Sequence, residues 1–142
     1  MAATGFIVLY VDDEESDRLL MQRAFAKENL HQALHTVEDG ARALDYLAGS
    51  GTFTDRVTHP LPTVVLLDLN LPEIHGFEVL RWIRGHPVHN NLPVVIFTSS
   101  TREEDALRAR ELGATDFLQK PNSSSRLRQV ARHLTRLIQR PV

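Results

Sequence analysis

Runs of consecutive apolar residues alternate along this chain with stretches in which apolar residues return every three or four positions. GFIVLYV (5–11) is continuous and β-type, and it ends on Asp12 and Asp13. Residues 15–29 then place Leu19, Leu20, Met21, Ala24 and Phe25 at helical spacing. HQALHTV, ending at Val37, is a weaker strand; Asp39 and Gly40 open a short helix carrying Ala43, Leu44, Tyr46 and Leu47, closed by Gly49. TVVLLD (63–68) is the third strand, and Phe77, Leu80, Trp82 and Ile83 mark its helix. LPVVIFT (92–98), the helical TREEDALRARELG (101–113) and ATDFLQK (114–120) follow. Ser123 to Ser125 cap a last amphipathic helix with Leu127, Val130, Ala131, Leu134, Leu137 and Ile138 on one face.

Near-continuous apolar strands, each followed by a helix, predict a parallel sheet covered on both faces: a (βα)5, doubly wound α/β fold. The 142 residues and 42% hydrophobic content suit one domain over 1–142. One connection, GSGTFTDRVTHPLP (49–62), exceeds the usual length, and reads equally as a contact surface or as a tolerated insertion.

Composition then removes whole classes of function. A net charge of -2 offers no bulk attraction to nucleic acid or to an anionic membrane. The absence of cysteine excludes disulfides, thiolate metal sites and a cysteine nucleophile. No apolar run approaches the ~20 residues of a membrane span, and the start of the chain lacks a signal-peptide pattern, so a cytoplasmic protein is expected.

In an open parallel sheet, ligands sit beyond the carboxyl ends of the strands. The first strand delivers Asp12 and Asp13 there, the third Asp68, the fourth Thr98 and the fifth Lys120. Each alone has an ordinary explanation, such as Asp13 capping the next helix. Together they put three carboxylates, a hydroxyl and an ammonium on one edge. Carboxylates so placed repel, and need a cation or a raised pKa. Mg2+, a hard ion taking oxygen ligands and often a substrate phosphate, meets that need. Lys120 stands out because only it and Lys27 are lysines among 16 basic residues. A compact ammonium suits a phosphoryl oxygen as a point charge. The Lys120–Pro121 step is open to either a cis peptide or a trans helix start.

Asp12–Asp13, Asp68 in LLDLNLPEIHG, Thr98–Ser99 after VVIF, and Lys120–Pro121 after DFLQ together resemble the receiver domain of two-component response regulators, over essentially the whole chain. The resemblance implies the flavodoxin-like strand order 2-1-3-4-5, Asp68 as acceptor of a phosphoryl group from a histidine kinase, and Mg2+ held by Asp12, Asp13, Asp68 and the Asn70 carbonyl. It further implies that Thr98 and Lys120 bind the phosphoryl oxygens, and that Phe117 turns inward when Thr98 moves. His75 departs from the pattern, since many receivers carry Asp there; little effect on phosphorylation is expected from it.

A stand-alone receiver is no enzyme in the ordinary sense, and signals by protein contact. The long 49–62 loop and the LDLNLPEIHGFEVLRWIR segment are similar to small regulators that partner phytochrome-type histidine kinases. Arg128, Arg132, Arg136 and Arg140 form a basic stripe on the last helix. It is either a solvated face or a partner for Glu103, Glu104, Asp105 and Glu111 of a second copy in a homodimer. The pairs His31/His35 and His86/His89 lack a third ligand nearby and read as surface histidines. The main rival is a haloacid-dehalogenase-like phosphohydrolase, which needs a second acid two positions after its nucleophile; Asn70 stands there and cannot transfer protons. A dinucleotide-binding domain lacks its glycine fingerprint.

Overall fold

A computed structural model describes residues 5–139. Five parallel strands form one sheet in the order β2-β1-β3-β4-β5: β1 (Val8–Val11), β2 (Leu34–Val37), β3 (Val64–Leu67), β4 (Val94–Thr98) and β5 (Asp116–Gln119). The helices are α1 (Glu15–Lys27), α2 (Gly40–Ala48), α3 (Gly76–Gly85), α4 (Glu103–Glu111) and α5 (Ser124–Gln139). The three central strands are buried throughout, while the edge strands β2 and β5 are only half-buried. That is why their sequences are the least apolar of the five.

Strand alternation divides the core into two layers. Leu9, Val11, Val65, Leu67, Val94 and Ile96 face α2, α3 and α4. Val8, Tyr10, Val64, Leu66, Val95 and Phe97 face α1 and α5, whose Met21, Ala24, Phe25, Leu127, Ala131 and Leu134 cover them. The caps read from the sequence are made: Asp39 accepts from the Arg42 N–H at 2.8 Å, Gly49 ends α2 at φ 70°, and Ser123 accepts from the Arg126 N–H at 3.3 Å.

The 49–62 connection is a folded piece. It makes one 3-10 turn, Gly51–Phe53, and lies on α2. The Tyr46 hydroxyl donates to the Pro60 carbonyl at 2.9 Å, the Phe53 and His59 rings flank Tyr46 at 5.1 and 5.7 Å, and Arg56 donates to the Leu47 carbonyl at 3.0 Å. Because it leads into the start of β3, it sits at the amino ends of the strands, away from the acidic edge. Among the described residues there is no cis peptide bond, so Lys120–Pro121 is trans. No helix among them is long and apolar enough to cross a membrane.

Candidate functional site

Register brings the acidic edge together. Val11 pairs with Leu67, so the next residues, Asp12 and Asp68, emerge side by side; the Asp68 N–H donates to the Val11 carbonyl at 3.1 Å. Thr98 pairs with Gln119, and the following Lys120 N–H donates to the Thr98 carbonyl at 2.8 Å. Asp12, Asp68 and Lys120 all continue the alternation that faces α1 and α5. The Lys120 ammonium accordingly donates to Asp12 Oδ2 at 2.7 Å and to Asp68 Oδ2 at 3.0 Å. Its third bond, at 2.8 Å, goes to Asp17 Oδ2 in the first turn of α1.

Asp12 is fully buried, with both carboxylate oxygens hydrogen-bonded and acceptor capacity left on Oδ1. Its Oδ2 also accepts from the Tyr10 hydroxyl at 2.6 Å, its Oδ1 from the Glu14 N–H at 3.0 Å, and its carbonyl from Arg18 at 2.7 Å. The N–H at the start of α1 is thus met by Asp12, where the sequence offered Asp13; Asp13 is exposed. One oxygen from each of Asp12, Asp13 and Asp68 lies within 4.8 Å of the others. Burial pushes the Asp68 carboxyl up from its ordinary value, and the Asp12 charge adds to this against the opposing pull of Lys120. Burial alone would lower the Lys120 ammonium, but hydrogen bonds to Asp12 and Asp17 and the charges of Asp68 and Asp12 hold it above its ordinary value. Crowded oxygens whose nearest cation is one ammonium are a fitting donor set for a hard divalent ion.

The turn after Asp68 is built to bring α3 close. Asn70 donates its N–H to Asp68 Oδ1 at 3.4 Å, Glu73 takes the left-handed conformation at φ 65°, and the Gly76 N–H reaches back to the Leu69 carbonyl at 2.8 Å. A Cβ on Gly76 would run into the Asp68 carbonyl and come within 2.7 Å of Leu69 Cα. These neighbours are backbone and cannot swing aside. Gly76→Ala is therefore expected to destabilise the fold by about 2 kcal/mol or more, measured by urea unfolding.

His75 is the N-cap of α3. Its Nδ1 accepts from the Phe77 N–H at 3.0 Å and its own N–H donates to Glu78 Oε1 at 3.4 Å, a capping box. An aspartate at this position would present an acceptor at a similar reach. His75→Ala is expected to cost about 1 kcal/mol of stability, and His75→Asp to be close to neutral, in the same unfolding assay.

Thr98 has the other parity. It continues the face of Ile96, as Phe117, paired with Ile96, does on β5. The buried Thr98 hydroxyl accepts from the Ser100 N–H at 3.2 Å, and Ser100 in turn donates to Asp105 at 2.6 Å in the first turn of α4. Phe117 is half-buried at a cleft of about 340 Å3 between α4 and β5. Ala109 is the one fully buried residue of α4, so that helix is held by little apolar contact.

The model of the response regulator receiver domain matches residues 8–132. This chain belongs to that family. It is 35% identical over 94% of its length to the probable methanogenesis regulatory protein FilR2 of Methanothrix harundinacea, covering 83% of that protein. It is 33% identical over 80% of its length to response regulator Rcp1 of Synechocystis, covering 76% of it. The receiver superposes on the Mn(2+)-bound structure of Rcp1 with a TM-score of 0.81 at 28% identity, over 96% of this chain and 97% of that one. For the phosphorylated cyanobacterial phytochrome response regulator RcpA the TM-score is 0.80 at 29% identity, over 93% of each chain.

Two members of the site were not read from the sequence. Asp17 looks like any acid on an exposed helix turn, and Tyr10 like one more residue of an apolar strand; only the alternation of β1 over Asp12 hints at the second. Other expectations need correction. His89 is buried, stacked with Trp82 at 5.8 Å beside His86, because the turn after α3 folds back over the indole. Two arginines of the stripe are used within the chain: Arg128 and Arg132 donate to Glu28 at 2.7 and 2.9 Å, holding that carboxyl down at about 2 through those hydrogen bonds, Arg132 first. Arg140 lies outside the described residues. Of the acids expected to answer the stripe, Glu104 pairs with Arg102, Glu111 with Arg108 and Asp105 with Ser100.

Proposed function

We propose that Asp68 is the phosphoacceptor of this receiver, and that phosphorylation there resets the Thr98–Phe117 side of the sheet. The supporting observation is the Lys120 ammonium bonded at once to Asp12 and Asp68. It holds the reacting carboxylate beside a cation that can follow the incoming charge. An Asp68 oxygen attacks phosphorus, the P–N bond of a phosphohistidine breaks, and the imidazole leaves with its electron pair. Asp12, Asp13, Asp68 and the Asn70 carbonyl would hold Mg2+, which supplies charge neutralisation on the transferring oxygens. Lys120 moves a donor from Asp68 to a phosphoryl oxygen, and the Thr98 hydroxyl, released from Ser100, supplies another.

Thr98 and Phe117 share a face of the sheet, and Ser100 ties the loop after β4 to α4. Pulling Thr98 toward the phosphoryl group therefore loosens the start of a weakly packed helix and opens room for Phe117. Output follows by protein contact at the α4–β5–α5 side. By its likeness to RcpA, the kinase is of the phytochrome type. Self-association through α4 and α5 would draw on Arg136 and Glu103, which have no ion pair among the described residues. Incubation with acetyl phosphate and Mg2+ tests the reading: one acid-stable, base-labile phosphoryl group per chain supports it, and repeated turnover of a phosphate ester without labelling overturns it.

A further inference from the structure

Asp17 stands outside the carboxylate trio of the metal site, yet it holds one of the three hydrogen bonds of Lys120. An ammonium has three donors and no more. All three are engaged here, with Asp12, Asp17 and Asp68 at 2.7, 2.8 and 3.0 Å. The Asp12 bond cannot readily be given up, because that carboxylate is fully buried and Lys120 is its charged partner. The Asp17 carboxylate is different. It is 34% exposed, against 0% for Asp12, and sits in the first turn of α1, where the backbone dipole favours an anion. It is a water-supported anion that attracts the ammonium without needing it.

We infer that Asp17 is a positioning residue that restrains phosphorylation: it draws the Lys120 ammonium toward α1 and competes for it with the phosphoryl oxygens. This rests on Asp68 being the phosphoacceptor. The incoming phosphoryl group is itself anionic, so Asp17 opposes it twice, by repulsion and by occupying a donor. Both effects slow formation of the acyl phosphate and weaken the contact that protects it from water. An acid in the first turn of α1 thereby sets how long the signal lasts.

The test is acetyl phosphate labelling and acyl-phosphate decay for the full chain and for Asp17→Asn, each at its own saturating Mg2+. Asp17→Asn should label about fivefold faster and hold its phosphoryl group about threefold longer. Asp17→Glu should return toward the wild-type values. In 1 M salt, where the screening length is about 3 Å, the difference should shrink, which a merely structural role would not produce. Equal rates in the two proteins, or slower labelling by Asp17→Asn, would overturn the restraint while leaving Asp68 as acceptor. Absence of label on the wild-type chain would overturn both.

Discussion

Asp68→Asn is expected to abolish labelling by acetyl phosphate while leaving a folded protein that is more heat-stable than the wild type in metal-free buffer. The first half follows from chemistry. An amide oxygen is not a nucleophile toward phosphorus at neutral pH, and Asp12, the other buried carboxylate, already has Lys120 and Tyr10 on one oxygen and the Glu14 N–H on the other. The second half follows from burial. Asp68 is 5% exposed and its carboxyl is raised above its ordinary value of 3.8 by that burial. A carboxyl raised in the folded state contributes its stability fully below the unfolded value, and loses it as pH rises through the folded one. At neutral pH the ionised Asp68 is therefore a cost that Asn removes. The isosteric amide can still accept from Lys120. An increase in Tm on the order of 3 °C is expected by calorimetry at pH 7, disappearing near pH 3, where both side chains are neutral. Residual stoichiometric label in Asp68→Asn would place the acceptor elsewhere.

Lys120→Met is the complementary experiment and should be the most damaging single change at the site. The lysine side chain is 15% exposed and bonds Asp12, at 0%, and Asp68, at 7%. Removing one partner of a buried ion pair leaves charges that neither water nor protein compensates, which typically costs about 3 to 5 kcal/mol. A loss near 3 kcal/mol is expected from urea unfolding at pH 7 without metal, together with loss of a long-lived phosphoprotein. Mg2+ should recover part of the stability, because it answers the same carboxylates. Lowering the pH should recover it too, since the Asp68 carboxyl, already raised by burial, then takes a proton. A loss under about 1 kcal/mol, unaffected by Mg2+, would mean that the three ammonium contacts matter little.

Much of this protein could be read from patterning because the physical signals are local. Apolar runs of four to seven residues between helical repeats lead to a doubly wound sheet, since parallel strands buried on both faces need nearly every position apolar. A strand that ends on a charged residue must also release it at the sheet edge, so Asp12, Asp68 and Lys120 were found from their places at strand ends. The order of the strands was not available in this way; it came with the family likeness. Tyr10 is hard to single out because a hydroxyl inside an apolar run looks like one more core residue, and only its place two positions before Asp12 sets it apart. His75 was visible only as a substitution, and its role emerged from the Phe77 N–H that it meets.

The sequence by itself determined the elements, the layers and which side chains reach the common edge, because each depends on the spacing of residues close in the chain. Only the tertiary structure decided which of them touch. The register between β1 and β3 put Asp12 against Asp68, strand parity put Thr98 on the side of Phe117, and the packing of α1 and α5 gave Glu28 to Arg128 and Arg132. The same packing carried Asp17, 103 residues from Lys120 along the chain, to within a hydrogen bond of its ammonium. Such contacts depend on distances of a few ångströms between distant segments, and no spacing within either segment encodes them.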